Sequence, residues 1–176
     1  KLPAKNKKVV MCLGDSFTEG ACVTMQHSYP YLLGQYAAAV DSNRAVMNAG
    51  TSGNDPFYEF KTLQKLTDSF NVGTAIFLLN PSDIEDVVCR GGNERFYPDG
   101  TLHFRPTPWW ERLYGLSMIF RLVTHNVFKL DYHFYTKANY ELLRQQSILE
   151  RREHFKNVII PFCKEKNITL IVAIHP

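Results

Sequence analysis

The stretch Val9-Val-Met-Cys-Leu-Gly-Asp-Ser-Phe-Thr-Glu-Gly20 holds a change of backbone habit within twelve residues. Val9 to Leu13 is a short apolar run with β-branched residues, the mark of a buried strand. Gly14 breaks the run. Ser16-Phe17-Thr18-Glu19 then fits the Ser-x-x-Glu capping box of a helix start. The stretch therefore predicts strand, tight turn and helix, and it leaves Ser16 with two readings. A capping box accounts for the serine without chemistry; a hydroxyl presented at the end of a strand is also where a nucleophile belongs.

Three more short runs of the same kind follow: Ala45–Asn48, Thr74–Leu79 and Ile168–Ile174. Each is continuously apolar rather than alternating, and helix-like sequence separates it from the next. That is the pattern of parallel strands buried on both faces, and it predicts an α/β fold. Tyr31–Val40 reads as the first connecting helix. Pro56 to Phe70 reads as the second, with Phe57, Phe60, Leu63 and Leu66 at helical spacing and Pro56 in a first-turn position. The third interval is longer. Residues 95–106 read as a β-hairpin turning at Asp99-Gly100. Residues 107–130 read as one amphipathic helix with Trp110, Leu113, Leu116, Ile119, Phe120 and Val123 as its apolar stripe. A last helix covers Asn139 to Lys166. The hairpin and aromatic helix, about 90–135, look like an insertion into a single domain spanning 1–176.

The totals suit such a domain. Of 176 residues, 45% are hydrophobic, enough for a sizeable core. A net charge of +3, from 20 basic and 17 acidic residues, is too mild to argue for nucleic acid. Lys1, Lys5, Lys7 and Lys8 read as a solvated tail. The four cysteines lack metal-ligand spacing, and Cys12 and Cys163 read as free buried thiols. No apolar stretch approaches the roughly 20 residues that cross a bilayer. The sequence starts at Lys1 without a methionine and stops at the tip of the fourth run, so a trimmed leader and a continuing polypeptide are both expected.

In parallel α/β frames ligands bind outside the carboxyl ends of the strands. This promotes Gly14–Ser16, Gly50–Asp55, Asn80–Asp83 and His175–Pro176. Three of these places together resemble the GDSL/SGNH hydrolases, a family of lipases and esterases. "GDSFTEG" (14–20) meets the family's first sequence block and "NAGTSGND" (48–55) the second. "LNPSDIED" (79–86) aligns with the third, usually Gly-x-Asn-Asp. Asp83 matches there, but Ser82 stands at the Asn position and Asn80 two residues earlier. The fourth block, Asp-x-x-His, occurs at none of the six histidines.

The resemblance implies a three-layer, flavodoxin-like parallel sheet and a serine esterase without metal or organic cofactor. It implies Ser16 as nucleophile, with an oxyanion hole from the backbone N–H of Ser16, that of Gly53, and a donor at Asn80 or Ser82. Each has a plainer alternative: Gly53 permits a left-handed turn, Asn80 caps the strand end and Ser82 caps a helix. Asp15 is expected to support the serine loop. His175 is the histidine that topology brings to the functional edge, and a base downstream of Pro176 is the other expectation. The remaining histidines, His154 among them, read as surface or insertion residues. Trp109, Trp110, Tyr114 and Phe120 read either as core or as the lining of an acyl or sugar pocket. By analogy the substrate is a small acyl ester, an O-acetyl carbohydrate being one form, and the compartment a bacterial envelope or the exterior. An O-acyltransferase and a non-catalytic glycan- or partner-binding domain are the alternatives.

Overall fold

The structure is a computed structural model that describes residues 7–175. Lys1, Lys5 and Pro176 lie outside them. Four strands form one parallel sheet in the order β2-β1-β3-β4: β1 (Lys8–Leu13), β2 (Arg44–Asn48), β3 (Val72–Leu79) and β4 (Thr169–Ile174). All four expected strands are present, within two residues of their expected starts. β1 lies centrally, between β2 and β3, so the strand that carries Gly14-Asp15-Ser16 delivers them to the middle of the carboxyl edge.

Parallel register puts partners on the same side of a sheet. Val9, Met11 and Leu13 of β1 therefore share a face with Met47 of β2 and Ala75 and Phe77 of β3. That face is the core. Phe60 and Leu63 of α3 (Pro56–Thr67) and Ile159 and Cys163 from the last helical segment cover it. α2 (Tyr29–Val40) packs on β2, and the opposite face, which bears Cys12, takes its Tyr29. These make the three layers of an α/β sandwich, the α/β class following from the strand pattern and the layering from the resemblance. Cys12 and Cys163 are buried free thiols.

The chain divides into two compact units, Lys1–Asp86 with Arg151–Pro176, and Val87–Glu150. In the second, two expectations are corrected. The hairpin reduces to one antiparallel bridge, Phe96 to Leu102, closed by hydrogen bonds from Tyr97 N to Thr101 O and from Gly100 N to Tyr97 O. Pro98 in the turn lacks the N–H that a longer ladder would use. The aromatic helix is two helices, α5 (Glu111–Leu116) and α6 (Met118–Asn126), broken at Ser117 in extended conformation. Ser117 prefers capping: its hydroxyl accepts from Phe120 N at 3.2 Å. The break resets the helical phase, so Leu113, Leu116 and Ile119 of the expected stripe face solvent. Trp110, Tyr114 and Phe120 instead pack inward, with Phe134 against Trp110 and Tyr114 at centroid distances of 4.9 and 5.0 Å. His125 joins them, bonded to Tyr114 Oη at 2.7 Å and Leu130 O at 2.8 Å.

The last helix is also segmented: α7 (Lys137–His154), a π turn (Phe155–Ile159) and α8 (Ile160–Glu165). Pro161 explains the irregularity. Its ring nitrogen cannot donate to the preceding turn, and its ring would clash with the carbonyl four residues back, so that turn widens. α4 (Ser82–Arg90) follows β3 directly.

Phe77 is fully buried under α8 and its π turn, its ring 5.4 Å from that of Phe155. Phe77→Ala should lower the unfolding free energy by about 3–5 kcal/mol in urea titration. Val40→Ala, at the exposed end of α2, should change it by no more than about 0.5 kcal/mol.

Candidate active site

The turn after β1 begins the site. Gly14 sits at φ +157, and a Cβ there would lie 2.1 Å from Thr18 Oγ1. α1 (Ser16–Glu19) is a single turn closed by Gly20 in the left-handed region. The capping box is not what holds it. The N-cap is Asp15, whose Oδ1 accepts from Phe17 N at 3.0 Å. Glu19 turns outward and binds Ser52, accepting from its backbone N at 2.7 Å and from its hydroxyl; these bonds lower its pKa. An aspartate directly before the helix competes better for the cap than a serine one position further on. Ser16 is thereby released from capping. Its hydroxyl is half-buried and engages no described partner.

The second loop is pinned against this turn. Thr51 N donates to Gly14 O at 3.0 Å, and Asn48 Nδ2 donates to Glu19 O at 3.1 Å. Gly50 is required by proximity: a Cβ would meet Glu19 N at 2.4 Å and the carbonyl carbon of Thr18 at 2.7 Å, both backbone. Gly53 has φ +72, the left-handed conformation that either reading of this glycine asks for. Neither Gly53 N nor Ser16 N donates to a described partner. Asn54, beside it, is buried with Nδ2 unpaired among the described residues.

The third loop joins through Asp15. Asn80 Nδ2 donates to Asp15 Oδ2 at 2.6 Å, and both residues are buried. Asn80 Oδ1 accepts from the backbone N and the hydroxyl of Ser82. The amide thus lies where Asp15 holds it, with its second N–H uncommitted to a described partner. Ser82 is the first residue of α4 but does not cap it: Asn80 Oδ1 accepts from Ser82 N, and the Ser82 hydroxyl is spent on Asn80 and Asp15. Of the two candidates, Asn80 is the one with a donor to spare.

His175 reaches the same edge. Its backbone N donates to Leu79 O at 2.8 Å, and its exposed ring stacks on Phe17 with centroids 4.6 Å apart. It makes no hydrogen bond to Ser16. His154 corrects an expectation: rather than a surface residue, it is packed against Phe57 and Phe60, with Nε2 buried and unpaired among the described residues. Its pKa falls to about 4, chiefly through burial and then Lys61.

Beneath the loops lies a charged layer that sequence reading missed. Asp83 is fully buried, accepts from Asn80 N at 2.9 Å and has Arg151 at 3.8 Å; burial raises its pKa to about 7. Glu59 is buried with both carboxyl oxygens unpaired among the described residues. Burial, then Asp83, Asp55 and Asp15, push its pKa well above the ordinary carboxyl value. Burial and the neighbouring acids thus favour its protonated form. The signal was available: Glu59, Leu63 and Leu66 stand at i, i+4 and i+7, one face of α3. Among the described residues no group of His, Cys, Asp and Glu could hold a metal ion.

No protein-family model matches the sequence, and no curated protein matches it significantly. Among solved structures, the chain is similar to AlinE4, described as an SGNH-hydrolase family esterase, at 17% identity and TM-score 0.41 over 97% of this chain and 77% of that one. It is also similar to a lipolytic protein of the G-D-S-L family from Desulfitobacterium hafniense DCB-2, at 20% identity and TM-score 0.39 over 94% and 77%. A third, of the same G-D-S-L description from Veillonella parvula DSM 2008, aligns at 12% identity and TM-score 0.35 over 94% and 77%. The functional reading is carried by the site's own geometry.

The buried acids and His154 give opposite pH dependences. From an ordinary value of 3.8 up to about 7, the unfolded chain has released the Asp83 proton and the folded chain retains it. The folded state binds more protons there, so this group makes stability fall as pH rises through that interval; Glu59 acts in the same sense. His154, depressed from 6.5 to about 4, makes stability rise with pH between those values. Asp83→Asn keeps an acceptor for Asn80 N and removes only the carboxyl contribution. Its urea midpoint relative to the parent should climb steadily from pH 4 to pH 7; a flat difference would mean Asp83 is ionised throughout.

Proposed function

We propose that this chain carries the nucleophile and oxyanion hole of a GDSL/SGNH-type serine esterase acting on small acyl esters. The observation that carries the reading is the release of Ser16. Asp15 takes the cap, Glu19 leaves for Ser52, and the Ser16 hydroxyl stands unengaged between two loops that hydrogen bonds pin to its turn. A hydroxyl that structure does not need, placed at the carboxyl edge of the central strand, is available to attack.

In this scheme Ser16 Oγ adds to the ester carbonyl while a base takes its proton. The carbonyl oxygen becomes an oxyanion, stabilised by the N–H groups of Ser16 and Gly53 and the uncommitted N–H of Asn80 Nδ2. Collapse expels the alcohol and leaves an acyl-serine, which water cleaves with return of the proton to Ser16. Asp15 moves no proton; it holds Asn80 and Phe17 N in place. No step draws on a metal or organic cofactor. The ring of His175 lies on Phe17 rather than on Ser16, so this scheme does not assign it the proton. O-acetyl groups on carbohydrate are the substrate class that the family resemblance favours. The lack of any described histidine bonded to Ser16 favours a second reading, a domain that binds acylated ligands without turning them over.

Fluorophosphonate labelling of the full-length gene product separates the two. Labelling should map to Ser16, vanish in Ser16→Ala together with about a thousandfold of p-nitrophenyl acetate hydrolysis, and persist in His175→Ala. Asn80→Ala should cost on the order of 100-fold in kcat with a smaller change in KM. A folded, unlabelled and inactive protein would leave the binding domain as the correct reading.

A further inference from the structure

We propose that α5 and α6 form an interfacial patch that docks the protein on anionic lipid bilayers. Phase resetting at Ser117 turns a run of large apolar side chains outward. Trp109 is 86% exposed, Leu116 87%, Met118 76% and Ile119 75%. Met118, Ile119 and Leu122, at i, i+1 and i+4, share one face of α6, while Leu113 and Leu116 share one face of α5. Val127 and Phe128 continue the exposed apolar surface past the end of α6. Single exposed apolar residues need no explanation, but a cluster of this size on adjoining helices is a binding surface.

Charge decides among occupants. From Glu111 to Lys129 the one acidic residue is Glu111, at the start of α5, against Arg112, Arg121 and Lys129, all exposed. Arg121 is fixed at the corner of the two helices, its Nε donating to Tyr114 O at 2.8 Å and its Nη2 to Gly115 O at 2.7 Å. The flanking acid Asp131 is folded back, accepting from the backbone N of His133 and of Tyr135 at 2.9 Å. A surface with three cations to one acid, bearing Trp, Leu, Ile and Met, suits the headgroup boundary. There aromatic rings settle at the interface and cations meet anionic lipid. A second copy of this chain would bring cation against cation. Among the described residues no helix is long and apolar enough to cross a membrane, so the patch lies on the surface rather than through it. The inward residues Trp110, Tyr114, Phe120 and Phe134 form the rigid base on which the patch is presented.

The test is cosedimentation of the intact chain with vesicles of phosphatidylglycerol and phosphatidylcholine. Met118→Glu/Ile119→Glu changes only strongly exposed positions and should keep the near-ultraviolet dichroism of the parent. Its partition coefficient should fall about tenfold or more. With Trp110→Phe leaving Trp109 as the sole tryptophan, vesicles should shift the emission to the blue. Pure phosphatidylcholine and 0.5 M salt should each weaken binding. No partitioning, equal partitioning of the double variant, or a dimer abolished by the double variant without vesicle binding would overturn the proposal.

Discussion

One buried side chain joins the two halves of the carboxyl edge. Asp15, 2% exposed, accepts from Phe17 N with one oxygen and from Asn80 Nδ2 with the other. The first bond closes α1 and the second spans from β1 to the end of β3. Without the carboxyl, the buried Asn80 amide would lose its partner, at a cost of about 1–3 kcal/mol, and Phe17 N would lose its cap. Since Asn80 Oδ1 in turn receives Ser82, and Asn80 N is held by Asp83, the start of α4 takes its position from the same residue. The geometry around Ser16 is a consequence of this one acid.

The sheet was legible because continuous apolar runs are a strong signal and because the first three ran into glycine or asparagine where the strand ends. The placement of Ser16, Gly53 and Asn80 on one edge followed from the parallel order alone. What the sequence hid were competitions between equals. Asp15 and Ser16 are both good caps, and only packing decides that the aspartate prevails and that Glu19 goes to Ser52. Ser117 is one polar residue in an apolar helix, and nothing local says that its hydroxyl will cap α6 rather than return to the preceding turn. His154 sits among charged residues in sequence, yet Phe57 and Phe60 bury it through contacts nearly a hundred positions distant.

The acids below the loops place the site on an electrostatically poor foundation. Asp83, Asp55 and Asp15 lie near enough to add to the cost that burial sets on ionising Glu59, and Arg151 offsets this only in part. A protein selected for stability alone would fill such a layer with leucine.

The widened turn at Phe155–Ile159 has a bearing on how this chain is compared with others. A π turn counts one more residue than the helix around it, so side chains before and after it obey two different phases. Arg151 and His154, which address the acids and the aromatic pair, are counted on one phase. Ile159 and Cys163, which seal the sheet, are counted on the other. An alignment that assumes one unbroken helix will set one half correctly and shift the other by a residue, trading buried positions for exposed ones. Descent in this region is better traced through the sheet edge, where loop lengths are held by hydrogen bonds, than through its longest helix.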